Sequence, residues 1–73
     1  MTLDQLEPGQ TGTIASITGA GSFRRRLLEL GLVSGTLITR QGSAPLGDPL
    51  TYRVRGAVLA LRRSDAKVVE VAR

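Results

Sequence analysis

Only one stretch of this chain, residues 22–35, has the spacing of apolar side chains that an α-helix requires. Three apolar residues stand at i, i+4 and i+7 and so share one helix face: Phe23, Leu27 and Leu30. Ser22 is a suitable N-cap, and Gly31 stands where a left-handed residue would end the helix. The sequence therefore predicts one α-helix, at about residues 22–30, and leaves the other residues to strands and turns.

Most of the remaining apolar residues alternate over short segments, as they do in half-buried β-strands. The first segment runs from Gln10 to Thr18, and a bulge near Ala15-Ser16 is needed if both Ile14 and Ile17 are to be buried. Later strands are predicted at residues 36–41, at residues 50–54, through Leu59 and Leu61, and at residues 69–71.

Short connections complete the predicted architecture. Arg55-Gly56 fits a two-residue hairpin turn, Gly19 to Gly21 is predicted as the loop into the helix, and residues 42–49 form an ordered loop. Helical turns are expected near residues 3–6 and 64–67, the second capped by Ser64. The chain is thus predicted to be one mainly β domain, residues 1–73, built as a small barrel of about five antiparallel strands with one inserted helix.

The composition limits the compartment and the partners that this chain can have. Its 73 residues contain no cysteine, so neither a disulfide nor a thiolate metal site can stabilise the fold. The formal net charge is +4, and nine of the ten basic residues are arginine, which suits nucleic acid, an acidic protein surface or the inner membrane leaflet. The sequence has no signal peptide or membrane-spanning run, so we expect a cytoplasmic protein.

Catalysis and metal binding have few side chains available. The chain has neither histidine nor cysteine, so no Ser-His or Cys-His nucleophile can be assembled. Without histidine, the imidazole ligands that most transition-metal ions prefer are also missing. Glu29 is one turn from Arg25 and is predicted to pair with it, and Asp48 is predicted to stabilise a turn. We therefore expect no enzymatic activity, no small-molecule substrate, no cofactor and no metal site.

Nucleic-acid binding is an alternative that the charge leaves open. Seven arginines could form one basic face: Arg24, Arg25, Arg26, Arg53, Arg55, Arg62 and Arg63. However, the only aromatic residues are Phe23 and Tyr52, and both have core parity. Platforms on which bases could stack are therefore missing, which favours a protein partner over nucleic acid.

Leu28 is the first candidate for a partner-binding residue. It lies about 140° from Phe23 on a helical wheel, so we expect it to be exposed. Arg24 and Arg25 would lie near it, and an apolar anchor with a charged rim is typical of an interface. The alternative is that Leu28 partly covers a neighbouring loop while the arginines keep the domain soluble.

The pattern as a whole resembles the FeoA family, the small cytoplasmic component of bacterial ferrous iron transport. The resemblance runs from Leu3 to Val71 and rests mainly on an RL-x-ELGL motif at residues 26–32 and an APLGDP motif at residues 44–49. Further matches are Gly35-Thr36, Leu59-Ala60-Leu61-Arg62 and Ala66. Arg40 departs from the pattern because the family more often has an apolar strand residue there.

The resemblance implies an SH3-like barrel without enzymatic activity that associates with FeoB, a membrane iron permease with a cytoplasmic G domain. The expected function is that of an accessory protein of ferrous iron uptake, peripheral to the inner membrane and monomeric or weakly self-associating. Because the chain begins at Met1 and has no helix-turn-helix, a free-standing FeoA protein is expected rather than a repressor module. The second candidate partner surface is the APLGDP loop: Ala44, Pro45, Leu46, Gly47, Asp48 and Pro49. The alternative function is that of a small basic nucleic-acid-binding or iron-responsive regulatory barrel.

Overall fold

A computed structural model describes residues 1–19 and 21–73 of the chain. A 3-10 turn at Leu3–Gln5 precedes five strands and two helices. The strands are β1 (Thr11–Ile17), β2 (Leu37–Ser43), β3 (Leu50–Val54), β4 (Ala57–Leu61) and β5 (Val69–Ala72). The helices are α1 (Gly21–Glu29), between β1 and β2, and α2 (Arg63–Ala66), between β4 and β5. The predicted order of elements is confirmed.

The five strands form one antiparallel sheet in the order β4-β3-β2-β1-β5. The register of β1 with β5 shifts between Ile14 and Ser16, which confirms the predicted bulge. Because of this extra residue, Ile14 and Ile17 are both buried although they are three positions apart. The sheet therefore bends around a single core.

The hairpin from β3 to β4 follows the sequence prediction closely. Arg55 and Gly56 form the two-residue turn with φ of 51° and 80°, the positive values that a type I′ turn requires. Along β3, Leu50, Tyr52 and Val54 are buried while Arg53 is exposed. Alternation with period two thus gives β3 one apolar face and one solvated face.

The end of α1 explains why one predicted core residue is wrong. Leu27 is buried, but Leu30 is 47% exposed. The helix ends at Glu29, and Gly31, at φ 98°, turns the chain so that the amide of Leu32 donates to the carbonyl oxygen of Leu27 at 3.1 Å. This is the 6→1 bond of a Schellman motif, and it places Leu32 in the core position that Leu30 was predicted to hold.

Helix starts were predicted less accurately. Ser22 was expected to cap α1, but Gly21 already lies inside the helix. Gly21 was also assigned to the preceding loop, of which Ala20 lies outside the described residues. Ser64 was expected to cap α2, which instead begins at Arg63. Both predicted starts are therefore too late. For α2, the side chain of Asp48 accepts from the Arg63 amide, and a partner so far away in the sequence leaves no local signal.

The N-terminal turn is held to the sheet by polar contacts as well as by burial. Leu3 and Leu6 are fully buried. The hydroxyl of Tyr52 donates to the carbonyl oxygen of Leu3 at 3.1 Å, and the guanidinium of Arg40 donates to the carbonyl oxygen of Leu6 at 2.7 Å. Arg40, which stands where the family pattern has an apolar residue, thus ties β2 to the N-terminal turn. The register of β2 with β3 shifts next to it, between Arg40 and Gly42.

In the described part of the chain, no helix is long and apolar enough to cross a membrane.

Candidate docking surfaces

The first predicted surface, Arg24, Arg25 and Leu28, lies on α1 and is called the helix surface below. These three side chains line a concave region of about 650 Å3 with Gly19, Gly21 and Ser22. Arg24 and Leu28 also line an adjoining cleft of about 200 Å3 between α1 and β1. The structure therefore brings the three predicted residues together on one face of the domain.

Leu28 is less exposed than its position on the helical wheel predicted. Its side chain is half-buried and packs against the buried residues of the core. The alternative reading, in which Leu28 partly covers a neighbouring segment, describes this better than full exposure, because Leu28 and β1 residues Ile14 to Ile17 line the same cleft. Leu28 can thus contribute the apolar wall of a groove but not a projecting anchor.

The three consecutive arginines of α1 form no ion pair in the described residues. Arg24, Arg25 and Arg26 are all exposed. Within residues 1–19 and 21–73, the only salt bridge joins the N-terminal amine to Glu70, at 3.5 Å. The predicted ion pair between Arg25 and Glu29 is therefore wrong. Both side chains are exposed, and an exposed pair would contribute little to stability. Arg26 lies in the last turn of α1, where the helix dipole favours a positive charge, and Arg24 and Arg25 precede it.

The second predicted surface, Ala44 to Pro49, is called the loop surface. Leu46 at its tip is 97% exposed, the most exposed large apolar side chain of the described residues. The loop is closed by backbone hydrogen bonds, from Ala44 to the Pro49 oxygen at 2.9 Å and from Gly47 to the Ala44 oxygen at 2.7 Å. Leu46 is therefore a projecting apolar anchor on an ordered turn.

Asp48 fixes this loop to α2 instead of bonding within its own turn as predicted. Its Oδ1 accepts from the backbone N–H of Arg63 at 2.9 Å, and the Arg63 Nε donates to the Gly47 oxygen at 2.9 Å. The carboxylate satisfies one of the free amides at the start of α2, as a capping side chain does. Sequence reasoning placed Arg63 in a basic face and missed this contact, because the partners are fifteen residues apart.

The two candidate surfaces lie beside different elements. Arg24 and Leu28 of the helix surface line the cleft against β1. The loop surface directly precedes Leu50 at the start of β3 and is fixed to α2 through Asp48.

The described residues offer little for acid–base or metal chemistry. None of them form a group of three or more carboxylates that could hold a metal ion. Burial raises the pKa of Tyr52 to about 12, so its hydroxyl stays protonated near neutral pH. The helix surface and the loop surface are suited to binding another protein.

Comparison with known proteins identifies the family. The FeoA domain model matches residues 1–73. A curated relative from Porphyromonas gingivalis, the Fe(2+) transport protein A/Fe(2+) transporter FeoB fusion protein, is 44% identical over 71 residues. That alignment covers 97% of this chain but only 8% of the fusion protein.

Solved structures agree with this match. The solution structure of the FeoA protein from Chlorobium tepidum aligns with a TM-score of 0.92 at 36% identity and covers 99% of this chain and 69% of that one. Stenotrophomonas maltophilia FeoA, solved with zinc and described as a procaryotic SH3 domain protein, aligns with a TM-score of 0.87 at 35% identity and covers 97% and 88%. The predicted SH3-like fold and the family resemblance are confirmed: this chain belongs to the FeoA family, a family of ferrous iron transport.

Proposed function

We propose that this chain is a non-enzymatic accessory domain of bacterial ferrous iron uptake that docks on the cytoplasmic, G-domain-containing part of an FeoB-type permease. The observation that carries the proposal is the fusion protein, in which a region 44% identical to this chain shares one polypeptide with an FeoB transporter. Fusion holds two domains at high effective concentration, which is advantageous when they work in contact. A separate chain must reach the same arrangement by docking.

The make-up of the domain supports recognition as its role. Histidine and cysteine are absent from the sequence, and iron chemistry is left to the permease. The helix surface offers free positive charge, and the loop surface offers the exposed Leu46. Apolar anchors give affinity, and charged rims steer the encounter, so the two surfaces together fit an acidic partner with an apolar pocket. The chain would act at the cytoplasmic face of the inner membrane through that partner.

The positions of the two aromatic residues disfavour the nucleic-acid alternative. Tyr52 is fully buried and Phe23 is half-buried against the core, so neither aromatic ring presents an open face for base stacking. A protein partner accounts for the free arginines without requiring such a platform.

Ferrous iron uptake by cells that contain the permease but lack this chain tests the proposal. Uptake should be low, should return when the wild-type chain is supplied, and should return less with Arg24→Glu combined with Arg25→Glu. The matched control is Lys67→Glu combined with Arg73→Glu, two exposed residues that belong to neither surface. Each reversal lowers the formal net charge by two, so both double variants go from +4 to zero. Normal uptake without the chain would refute the accessory role.

A further inference from the structure

The outer edge of β4 is open. β4 and β5 are the outer strands of the sheet. The free edge of β5 is covered by the N-terminus, since the Val71 amide donates to the Met1 oxygen at 2.8 Å and the terminal amine donates back to the Val71 oxygen at 3.3 Å. Within residues 1–19 and 21–73, no strand or loop covers β4 in this way. Its second edge therefore faces solvent.

The hairpin determines which backbone groups point outward. In a two-residue hairpin, the residues flanking the turn, here Val54 and Ala57, form a hydrogen-bonded pair. Pairing then alternates along the antiparallel ladder, so every second residue of β4 bonds to β3. The residues between them, Val58 and Ala60, direct their N–H and C=O groups away from β3. The open edge thus presents two donors and two acceptors in strand geometry.

This edge lacks the features that usually prevent pairing with another chain. The strand reads AVLAL, with no charge, no proline and no polar side chain. Its register with β3 is continuous from Ala57 to Leu61, without a bulge. Val58 is 56% exposed, and Ala60 is exposed as well. Natural sheets guard their edges with lysine, proline or bulges, and a strand without them is a template for strand addition.

Charge determines which occupant fits. Arg62 is exposed at the end of β4. The other nearby arginines point away from the open edge, because Arg55 donates to the Thr36 hydroxyl at 3.4 Å and Arg53 lies against the side-chain amide of Gln41, both on the β2 side of β3. A second copy would bring another formal charge of +4 and would be repelled, whereas a segment with an acidic residue next to Arg62 would be attracted.

We propose that the open edge of β4 binds an extended segment of a partner protein that carries an acidic residue at the end next to Arg62 and adds as a sixth antiparallel or parallel strand. Val58 and Ala60 supply the backbone hydrogen bonds, and Arg62 holds the acidic end. This site is separate from the helix and loop surfaces. It stands or falls independently of docking on the permease.

The test uses the full chain and a short synthetic peptide with alternating valine and threonine at its centre and glutamate at each end. Amide NMR spectra should change most at Val58 and Ala60 as the peptide is added, and their hydrogen exchange should slow. Ala60→Pro removes an outward N–H without touching the β3 ladder and should weaken binding about tenfold or more. Ala60→Thr is the matched control, because it changes the same exposed side chain but keeps the N–H, and it should bind as wild type.

Two further probes keep the test decisive if the proline variant unfolds. A peptide with N-methylated central amides keeps its side chains and charges but cannot donate hydrogen bonds, so it should not bind. Arg62→Glu should weaken binding of the glutamate-ended peptide, most clearly at low salt. Equal binding of the N-methylated peptide, spectral changes centred away from β4, or protection of Val58 and Ala60 by self-association of the free chain would each overturn the proposal.

Discussion

Tyr52 links two distant parts of the chain through one hydroxyl group. Its side chain is fully buried, and its hydroxyl donates to the Leu3 carbonyl oxygen, so β3 holds the N-terminal turn in place. The ionised form would lose both this donated bond and solvation, and for that reason burial raises its pKa from 10.0 to about 12. A buried hydroxyl of this kind makes stability depend on pH in the alkaline range.

We predict that the free energy of unfolding falls as the pH rises from 10.0 to about 12, because Tyr52 ionises more readily in the unfolded chain. Because the folded pKa is the higher one, the folded chain keeps a proton that the unfolded chain releases in this window. The contribution is complete below pH 10.0 and is lost as the pH passes through the folded pKa. Urea denaturation across the window should show a steeper fall in the free energy of unfolding for wild type than for Tyr52→Phe. Parallel curves would show that Tyr52 does not titrate in this way.

Long-range polar contacts are the part of the candidate site that the sequence could not predict. Asp48 was assigned to its own turn because Gly47 and Pro49 flank it, a local signal. Its actual partner, the Arg63 amide, is brought near only by the fold. Arg40 was recognised as a departure from the family pattern, but its bond to the Leu6 oxygen could not be foreseen. Local patterns contain no information about such pairs.

The secondary-structure elements were predicted well where local periodicity controls them. The alternation in β3 and β5, the Arg55-Gly56 turn and the bulge near Ala15 were all predicted. The sequence predicts helix α1 correctly but places Leu30 wrongly in the core. The helical wheel assumes that the helix continues to Leu30, whereas α1 ends at Glu29. Once the chain turns at Gly31, wheel angles no longer apply, and Leu32 is the residue that reaches the core.

Leu27 should be the residue through which α1 contributes most to stability. It is only 1% exposed, and truncation would leave a cavity that the surrounding strands cannot fill. We expect Leu27→Ala to lower the free energy of unfolding by about 2–5 kcal/mol, measured by urea denaturation. Leu30→Ala is the control and should cost no more than about 0.5 kcal/mol, because Leu30 is largely in solvent. Equal losses would contradict the packing described for α1.

At the scale of the whole molecule, the domain combines a small core with a surface whose arginines are left unpaired by acidic side chains in the described residues. Most surface ion pairs add little stability, so their absence costs the fold little. The resulting positive field favours association with acidic surfaces and falls off with added salt. The function of the domain is therefore expected to lie in what it binds.

We predict that the isolated chain binds ferrous iron no more tightly than the millimolar range. The sequence has no histidine or cysteine, and the described carboxylates do not cluster. Anaerobic titration calorimetry with ferrous iron should give only weak, unsaturated heats, with a chelator titration as the positive control. A stoichiometric micromolar isotherm would contradict this prediction and would make the chain an iron-binding protein in its own right.

Binding of this chain to the purified FeoB-type permease in detergent tests the docking proposal most directly. We expect saturable binding by the wild-type chain that weakens with salt. Leu46→Ser should weaken it roughly ten- to 150-fold, because a leucine buried in an interface contributes about 1.5–3 kcal/mol. Leu37→Ser is the matched control, since Leu37 is also exposed but lies on β2, and it should bind as wild type. No binding by the wild-type chain would contradict the account, and wild-type affinity in both Leu46→Ser and the Arg24→Glu, Arg25→Glu variant would move the docking surface elsewhere.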